Sequence, residues 1–309
     1  MKLPPKTPKS FAPGAKSRYD DFTAAHINNT LLMHSNGVFL SWHRHFLYLF
    51  QNALTEECGF KGAIPYWNWP WWADDLAGSP LFDGSSTSIG GDGYWNASAP
   101  AVQNGNYTFP RGHGGGCIKD GPFVNITTGF RYFKNAEILR TEIPEDALDY
   151  APHCVTRDLN NAITGPNHNP SIVDDLLSAP TIREFQTILD ASVRNTTSLS
   201  PHSAGHWSIG LSMLDQYASP SDPAFYLHHS MIDNMWAQWQ LQNPEERTYS
   251  LYGTVTTLNN PPSQDATLDF VTQFGYLDSP KKLVELMDSQ SSKYCYRYEY
   301  SQDAPKPCE

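Results

Sequence analysis

Histidines set the chemistry open to this chain. Of its eleven, His202 and His206 stand four apart in the helix-forming stretch PHSAGHWSIGL (201–211), so both rings project from one face and can reach one ion. Further on, DPAFYLHHSMID places His228 and His229 in the apolar stretch of another helix. On the N-terminal side His26, His34 and His43 follow one another at intervals of eight and nine residues. A buried neutral imidazole leaves a ring nitrogen needing a partner, and one metal ion can satisfy several at once. An i,i+4 pair alone reads equally well as capping or core histidines; two sets of three carry the metal reading. No Asp or Glu falls in comparable register. A site rich in imidazole and lacking carboxylate and thiolate suits copper or zinc and disfavours magnesium or calcium.

The elements that must position these rings are legible as helical periodicity. It runs through YDDFTAAHINNTLLMH (19–34), then FLSWHRHFLYLFQNALTEECG (39–59), where Gly59 is a stop signal. It returns in TIREFQTILDASV (181–193), around 201–211 and in PAFYLHHSMIDNMWAQWQLQN (223–243). His45, also within FLSWHRHF, reads as a half-buried helix residue. Residues 1–17 are rich in Pro and Lys and should be extended, and IPYWNWPWW (64–72) should be irregular and packed. Residues 73–170 form a Gly-, Ser- and Pro-rich excursion within one domain spanning 1–309. A loop that long is commonly functional or pinned covalently, and Cys117 and Cys154 inside it are expected to pair, which could stabilise by ~3–5 kcal/mol. KYCYRYEY (293–300) alternates like a short strand.

Composition narrows the classes. Charged residues are 17%, aromatics 13%, with 24 Pro and 21 Gly, which reads as ordered, loop-rich structure. A net charge of −11 excludes an electrostatic grip on nucleic acid or anionic lipid, so neither nucleic acid nor membrane is expected as a partner. No stretch reaches the roughly 18 apolar residues of a membrane span. Sequons at Asn28, Asn96, Asn106, Asn125 and Asn195, with five cysteines in no zinc-like spacing, read as a secreted, N-glycosylated, partly disulfide-bonded protein whose leader is missing.

HINNTLLMH followed by FLSWHRHF, then HSAGH followed by DPAFYLHHSMIDNMW, resembles the paired copper motifs of the type-3 copper polyphenol oxidases, the tyrosinases and catechol oxidases. APGAKSRYDDF and ECGFKGAIPYWNW are similar to the short fungal members. The resemblance implies a mainly α fold, a central four-helix bundle holding two copper ions, with long loops and a few short strands around it. Carried over, it gives His26, His34 and His43 to one copper and His202, His206 and His229 to the other, with His228 outside the ligand set. It implies small phenolic substrates, dioxygen as co-substrate and a monomer.

It also assigns roles around the metals. Phe225 matches a gating aromatic, while Ser203 and Trp207 stand where the family sets selectivity. Hydroxylating members frequently carry Asn in place of Ser203, paired with an acid that orients a water to deprotonate the phenol; Asp190 aligns best with that acid, and Gln186 second. Ser is a poorer scaffold for such a water, so oxidation of o-diphenols to o-quinones with weak or absent monophenol hydroxylation is expected. The alternatives are a full tyrosinase or o-aminophenol oxidase and, from another class, a hemocyanin-like oxygen carrier. Leu32 replaces the cysteine of a thioether crosslink in relatives, and Arg18 and Asp233 match a pair tying the N-terminal segment to the bundle. YRYEY (296–300) resembles the motif that ends the catalytic core; without a plugging domain after it, an open enzyme is expected. Cys58, Cys295 and Cys308 cannot all pair among themselves, and a lost upstream cysteine would supply the missing partner.

Overall fold

The computed structural model describes residues 2–133, 142–190 and 198–299. In chain order the described helices are α1 (Arg18–Met33), α2 (Phe39–Asn52), α3 (Asn161–Asn167), α4 (Pro170–Leu177), α5 (Ile182–Asp190), α6 (Pro201–Ile209), α7 (Ala224–Leu241) and α8 (Pro244–Arg247). Four short antiparallel pairs accompany them: β1 (Gly93–Trp95) with β4 (Gly115–Ile118), β2 (Gln103–Asn104) with β3 (Tyr107–Thr108), β5 (Thr127–Thr128) with β6 (His153–Cys154), and β7 (Val271–Thr272) with β8 (Lys281–Lys282). The chain is mainly α-helical, and α1, α2, α6 and α7 carry the histidines. No described helix is long and apolar enough to cross a membrane.

Local chemistry explains where the bundle starts. Ser17 caps α1 by accepting from the Asp20 N–H, and the Asp20 carboxylate answers by accepting from the Ser17 N–H, a reciprocal cap that satisfies two orphan donors. Phe22 of α1 then meets Phe46 and Phe50 of α2 edge-on, and Tyr226 of α7 stacks on Phe50. The α-helical part of α2 ends at Asn52 and continues as a wider π turn over Ala53–Glu57, and the helix stops, as expected, at Gly59, whose φ is 70°.

Three expectations need correction. Arg18 pairs with Asp21 at 2.9 Å and Glu57 at 3.0 Å, whereas Asp233 is held by the buried Arg44 of α2 at 2.7 Å. The segment 293–299 is no strand: Tyr294 bonds His45 at 2.8 Å, Tyr298 donates to Asp233 at 2.7 Å, and Tyr296 donates to the same carboxylate. Alternate tyrosines therefore dock on the bundle instead of on a neighbouring strand. His45 is fully buried rather than half-buried, with Nε2 on Asp278 at 2.9 Å and Nδ1 accepting from Tyr294.

The excursion is folded back by Cys117–Cys154 and by Arg157, which is fully buried with Asp222. Its far end packs on α6, where the Asp158 and Asn160 N–H groups donate to Ile209 and Ser208 carbonyls at 2.9 and 2.8 Å. α3 and α4 fall at and just beyond the end of what reads as loop. α3 survives Gly165 and Pro166 in its last turn because Asn160 caps it, accepting from the Ala162 N–H, and Ile163 is fully buried.

Candidate metal centre

Where α1, α2, α6 and α7 meet, the rings converge in two sets. Donor atoms of His26, His34 and His43 lie within 4.8 Å of one another, as do those of His202, His206, His228 and His229. The sets adjoin, with His43 and His229 stacked at 4.4 Å between ring centres.

Backbone carbonyls aim four of the rings. Nδ1 of His26 donates to Tyr217 at 2.7 Å, His34 to Thr30 at 2.9 Å, His43 to Phe39 at 2.8 Å and His206 to Met213 at 2.8 Å. With the proton so placed on Nδ1, the lone pair sits on Nε2 and is pointed inward. Nε2 of His26 and of His43 is buried without a partner, and Nε2 of His206 faces Nε2 of both His202 and His229 at 3.2 Å. His202 and His206 both spend Nδ1 on a carboxylate or carbonyl, so their Nε2 lone pairs face one another in a buried site, an arrangement that a cation between them satisfies. The residues present therefore fit a metal pair held by neutral nitrogen, the donor set that suits copper or zinc.

Burial keeps five of these rings neutral. It pushes His26, His43, His206 and His229 well below the ordinary histidine value, with neighbouring imidazoles adding to the effect. Burial likewise brings His34 down to about 4. Lone pairs are thus available at neutral pH without competition from protons.

His228 belongs to the packing. Its Nδ1 accepts from Trp69 Nε1 at 3.2 Å and its Nε2 donates to the His202 carbonyl at 3.0 Å, which leaves no lone pair for an ion. Its ring lies so close to α6 that a Cβ on Gly205 would stand 2.0 Å from it. This explains the glycine inside HSAGH.

A cavity of about 200 Å³ opens beside His34, His202 and His206, walled by Ser203, Trp207 and Leu258 among others. Asp190 also lines it, with Oδ1 2.6 Å from Nδ1 of His202; among the described residues this is the one ring of the six aimed by a carboxylate. Ser203 accepts from the hydroxyl of Ser200 at 3.1 Å, at the N-terminus of α6. Gln186 is turned to the Asn36 carbonyl, 3.2 Å away, and lines a neighbouring groove instead of the mouth. Phe225 is not a gate over the mouth. It is fully buried, stacked on His229 at 4.1 Å and edge-on to His26 at 5.1 Å, and so forms part of the floor.

An ordered second layer escapes sequence reasoning. Asp215 accepts the N–H groups of Tyr217 and Ala218 at 2.9 and 3.0 Å, and the turn it builds presents the Tyr217 carbonyl to His26. An Asp two residues before a turn position was the available signal. Because a carboxylate on the far nitrogen orients a ligand and raises its basicity, Asp190→Asn is expected to lower copper affinity at the second set about 10–100-fold. Competition against a chelator, with unchanged circular dichroism, checks this.

The tyrosinase family model, the common central domain of tyrosinase, matches residues 16–242. The chain is 43% identical over 300 residues to tyrosinase P of Aspergillus terreus, covering 96% of this chain and 84% of that one. It is 41% identical over 312 residues to the N-acetyl-6-hydroxytryptophan oxidase of Emericella nidulans, covering 96% and 85%. Among solved structures, a polyphenol oxidase variant from Thermothelomyces thermophila superposes with a TM-score of 0.87 at 36% identity, covering 96% and 82% of the two chains.

Proposed function

The chain belongs to the tyrosinase family of copper oxidoreductases, and from that premise we propose that it oxidises o-diphenols to o-quinones with dioxygen, with little or no hydroxylation of monophenols. His26, His34 and His43 hold one copper and His202, His206 and His229 the other. When bound, copper cycling between Cu(I) and Cu(II) supplies the electron transfer to dioxygen that zinc cannot. Each catechol gives up two electrons and two protons, so one dioxygen reduced to two waters consumes two catechols. The protein's part is to bury the ring nitrogens, fix four of their tautomers through carbonyls and that of His202 through Asp190, and admit a flat ring at the mouth lined by Trp207 and Leu258.

One observation carries the preference for diphenols: Asp190, the carboxylate at the mouth that could take a phenolic proton, spends Oδ1 on Nδ1 of His202, and Ser203, which would have to hold a water beside it, is tied to Ser200. A monophenol with a pKa of about 10 needs such a base at neutral pH. An open mouth reaching His34, His202 and His206 favours an enzyme over an oxygen carrier. Oxygen uptake by copper-loaded protein given a monophenol and a trace of the matching catechol tests the reading. Uptake is expected to stop once the catechol is spent; sustained uptake would make this a full tyrosinase.

Secretion belongs to the same proposal. Asn96, Asn106 and Asn125 are exposed on the disulfide-bonded excursion. Asn28 is a poor acceptor because it lies inside α1 and its sequon Thr30 is buried, donating to the His26 carbonyl at 2.7 Å. Asn195 lies outside the described residues. Glycosidase treatment of protein from a secreting fungal host should shift its mass; an unchanged mass would count against the glycoprotein reading.

A further inference from the structure

Beside the mouth lies a larger groove, about 700 Å³ against about 200 Å³, and the two share Ser35, Asp190 and Leu258 as walls. A bare catechol ring cannot fill both. The groove's other walls come from Gln186 and Thr187 on α5 and from Tyr252, Thr254 and Asp265 in the loops after α8. They offer hydrogen-bond donors and acceptors, and Asp265 joins Asp190 as a second carboxylate; among the described residues no Lys or Arg lines the space, Arg183 standing behind it over the Tyr252 ring at 5.2 Å. Wells of this size, largely preformed and with a few convergent polar groups, are what small ligands occupy.

Leu258 divides mouth from groove. It is 52% exposed, and both it and Asn259 hold a left-handed backbone, φ 54° and 53°. Asn adopts that conformation readily, but a leucine keeps it only where its surroundings impose it, and such strain gathers at functional sites. Here the pins are visible. The Leu258 N–H donates to Ser35, next to His34, and Thr257 Oγ1 donates to the Thr30 carbonyl that also aims His34, both at 3.3 Å. The partition is thus tied directly to the first histidine set.

We propose that the groove is a substrate subsite: the ring enters beside His202 and His206, and a hydrogen-bonding substituent, uncharged or cationic, runs past Leu258 into the groove. The natural substrates are then o-diphenols with an extended polar tail, and tails ending in a carboxylate are disfavoured by Asp190 and Asp265. This rests on the o-diphenol oxidase reading, so the test separates the two.

The experiment compares catechol, N-acetyldopamine and 3-(3,4-dihydroxyphenyl)propanoate as substrates of copper-loaded protein, and phenol with N-acetyltyramine as ligands of copper-free protein by calorimetry. N-acetyldopamine is expected to exceed catechol in kcat/KM by about tenfold, mainly through KM, as uniform binding does, with the propanoate well below it. Copper-free protein should prefer N-acetyltyramine over phenol by a similar factor. Thr187→Trp, on the exposed side of α5, would fill the groove and bring both ratios close to one. Equal kcat/KM for catechol and N-acetyldopamine, a propanoate as good as the amide, or ratios untouched by Thr187→Trp would each overturn the proposal. Tail-dependent binding in copper-free protein that oxidises no catechol when loaded would support the groove and sink the oxidase reading alone.

Discussion

Replacing His43 with alanine is expected to lower catechol oxidation by at least ~10³-fold and to reduce bound copper to about one ion per chain, with the fold intact. His43 offers a buried, unpartnered Nε2 whose tautomer is fixed by the Phe39 carbonyl, so its loss leaves two nitrogens where three converge. The second set keeps its own nitrogens and loses only the ring stacked on His229. His45→Phe, two residues along the same helix, is the informative contrast. Both nitrogens of His45 are spent on Asp278 and Tyr294, so that variant should keep its copper and lose about 1–3 kcal/mol of stability from stranded partners. Metal analysis with circular dichroism reads both. Two coppers and full turnover in His43→Ala would refute its assignment as a ligand.

How the rings are aimed shows what a sequence can and cannot disclose. His34 bonds Thr30 and His43 bonds Phe39, each four residues back, so ordinary helix geometry supplies the tautomer and the pattern is readable from spacing. His26 depends on Tyr217 and His206 on Met213, carbonyls in turns that exist only after the chain has folded back. The true place of Phe225 is legible in spacing: four residues before His229 on α7, it must share that ring's face and stack with it, which puts it in the floor and not at a gate. The tyrosines of 294–298 alternate for reasons other than pairing, since each reaches a polar group of α2 or α7. The groove beyond Leu258 had no sequence signal, because its walls come from α5 and from loops that meet it only in three dimensions.

Arg157 supports a second large effect, on stability. Its guanidinium and the Asp222 carboxylate are both fully buried and meet in two bonds, 2.8 and 2.6 Å. It also donates to the carbonyls of Ile89, Gly90 and Gly91, closing the excursion over the bundle. Asp222 in turn accepts the Ala224 N–H at 2.9 Å, where α7 begins. Arg157→Ala strands a buried carboxylate and three carbonyls, and about 3–5 kcal/mol of unfolding free energy should be lost. Desolvation costs both ions heavily, so the pair itself need not be worth that much. Arg157→Met combined with Asp222→Leu should therefore recover part of the loss, although the carbonyls of 89–91 and the Ala224 N–H stay unpaired. Because residues 158 and 160 bond the end of α6, Arg157→Ala is also expected to loosen the second histidine set and bind its copper more weakly. Urea unfolding of the wild type, both variants and Lys282→Ala, whose exposed pair with Asp269 should not register, decides the matter. A cost for Arg157→Ala as small as that of Lys282→Ala would mean that the excursion does not hold the bundle in place.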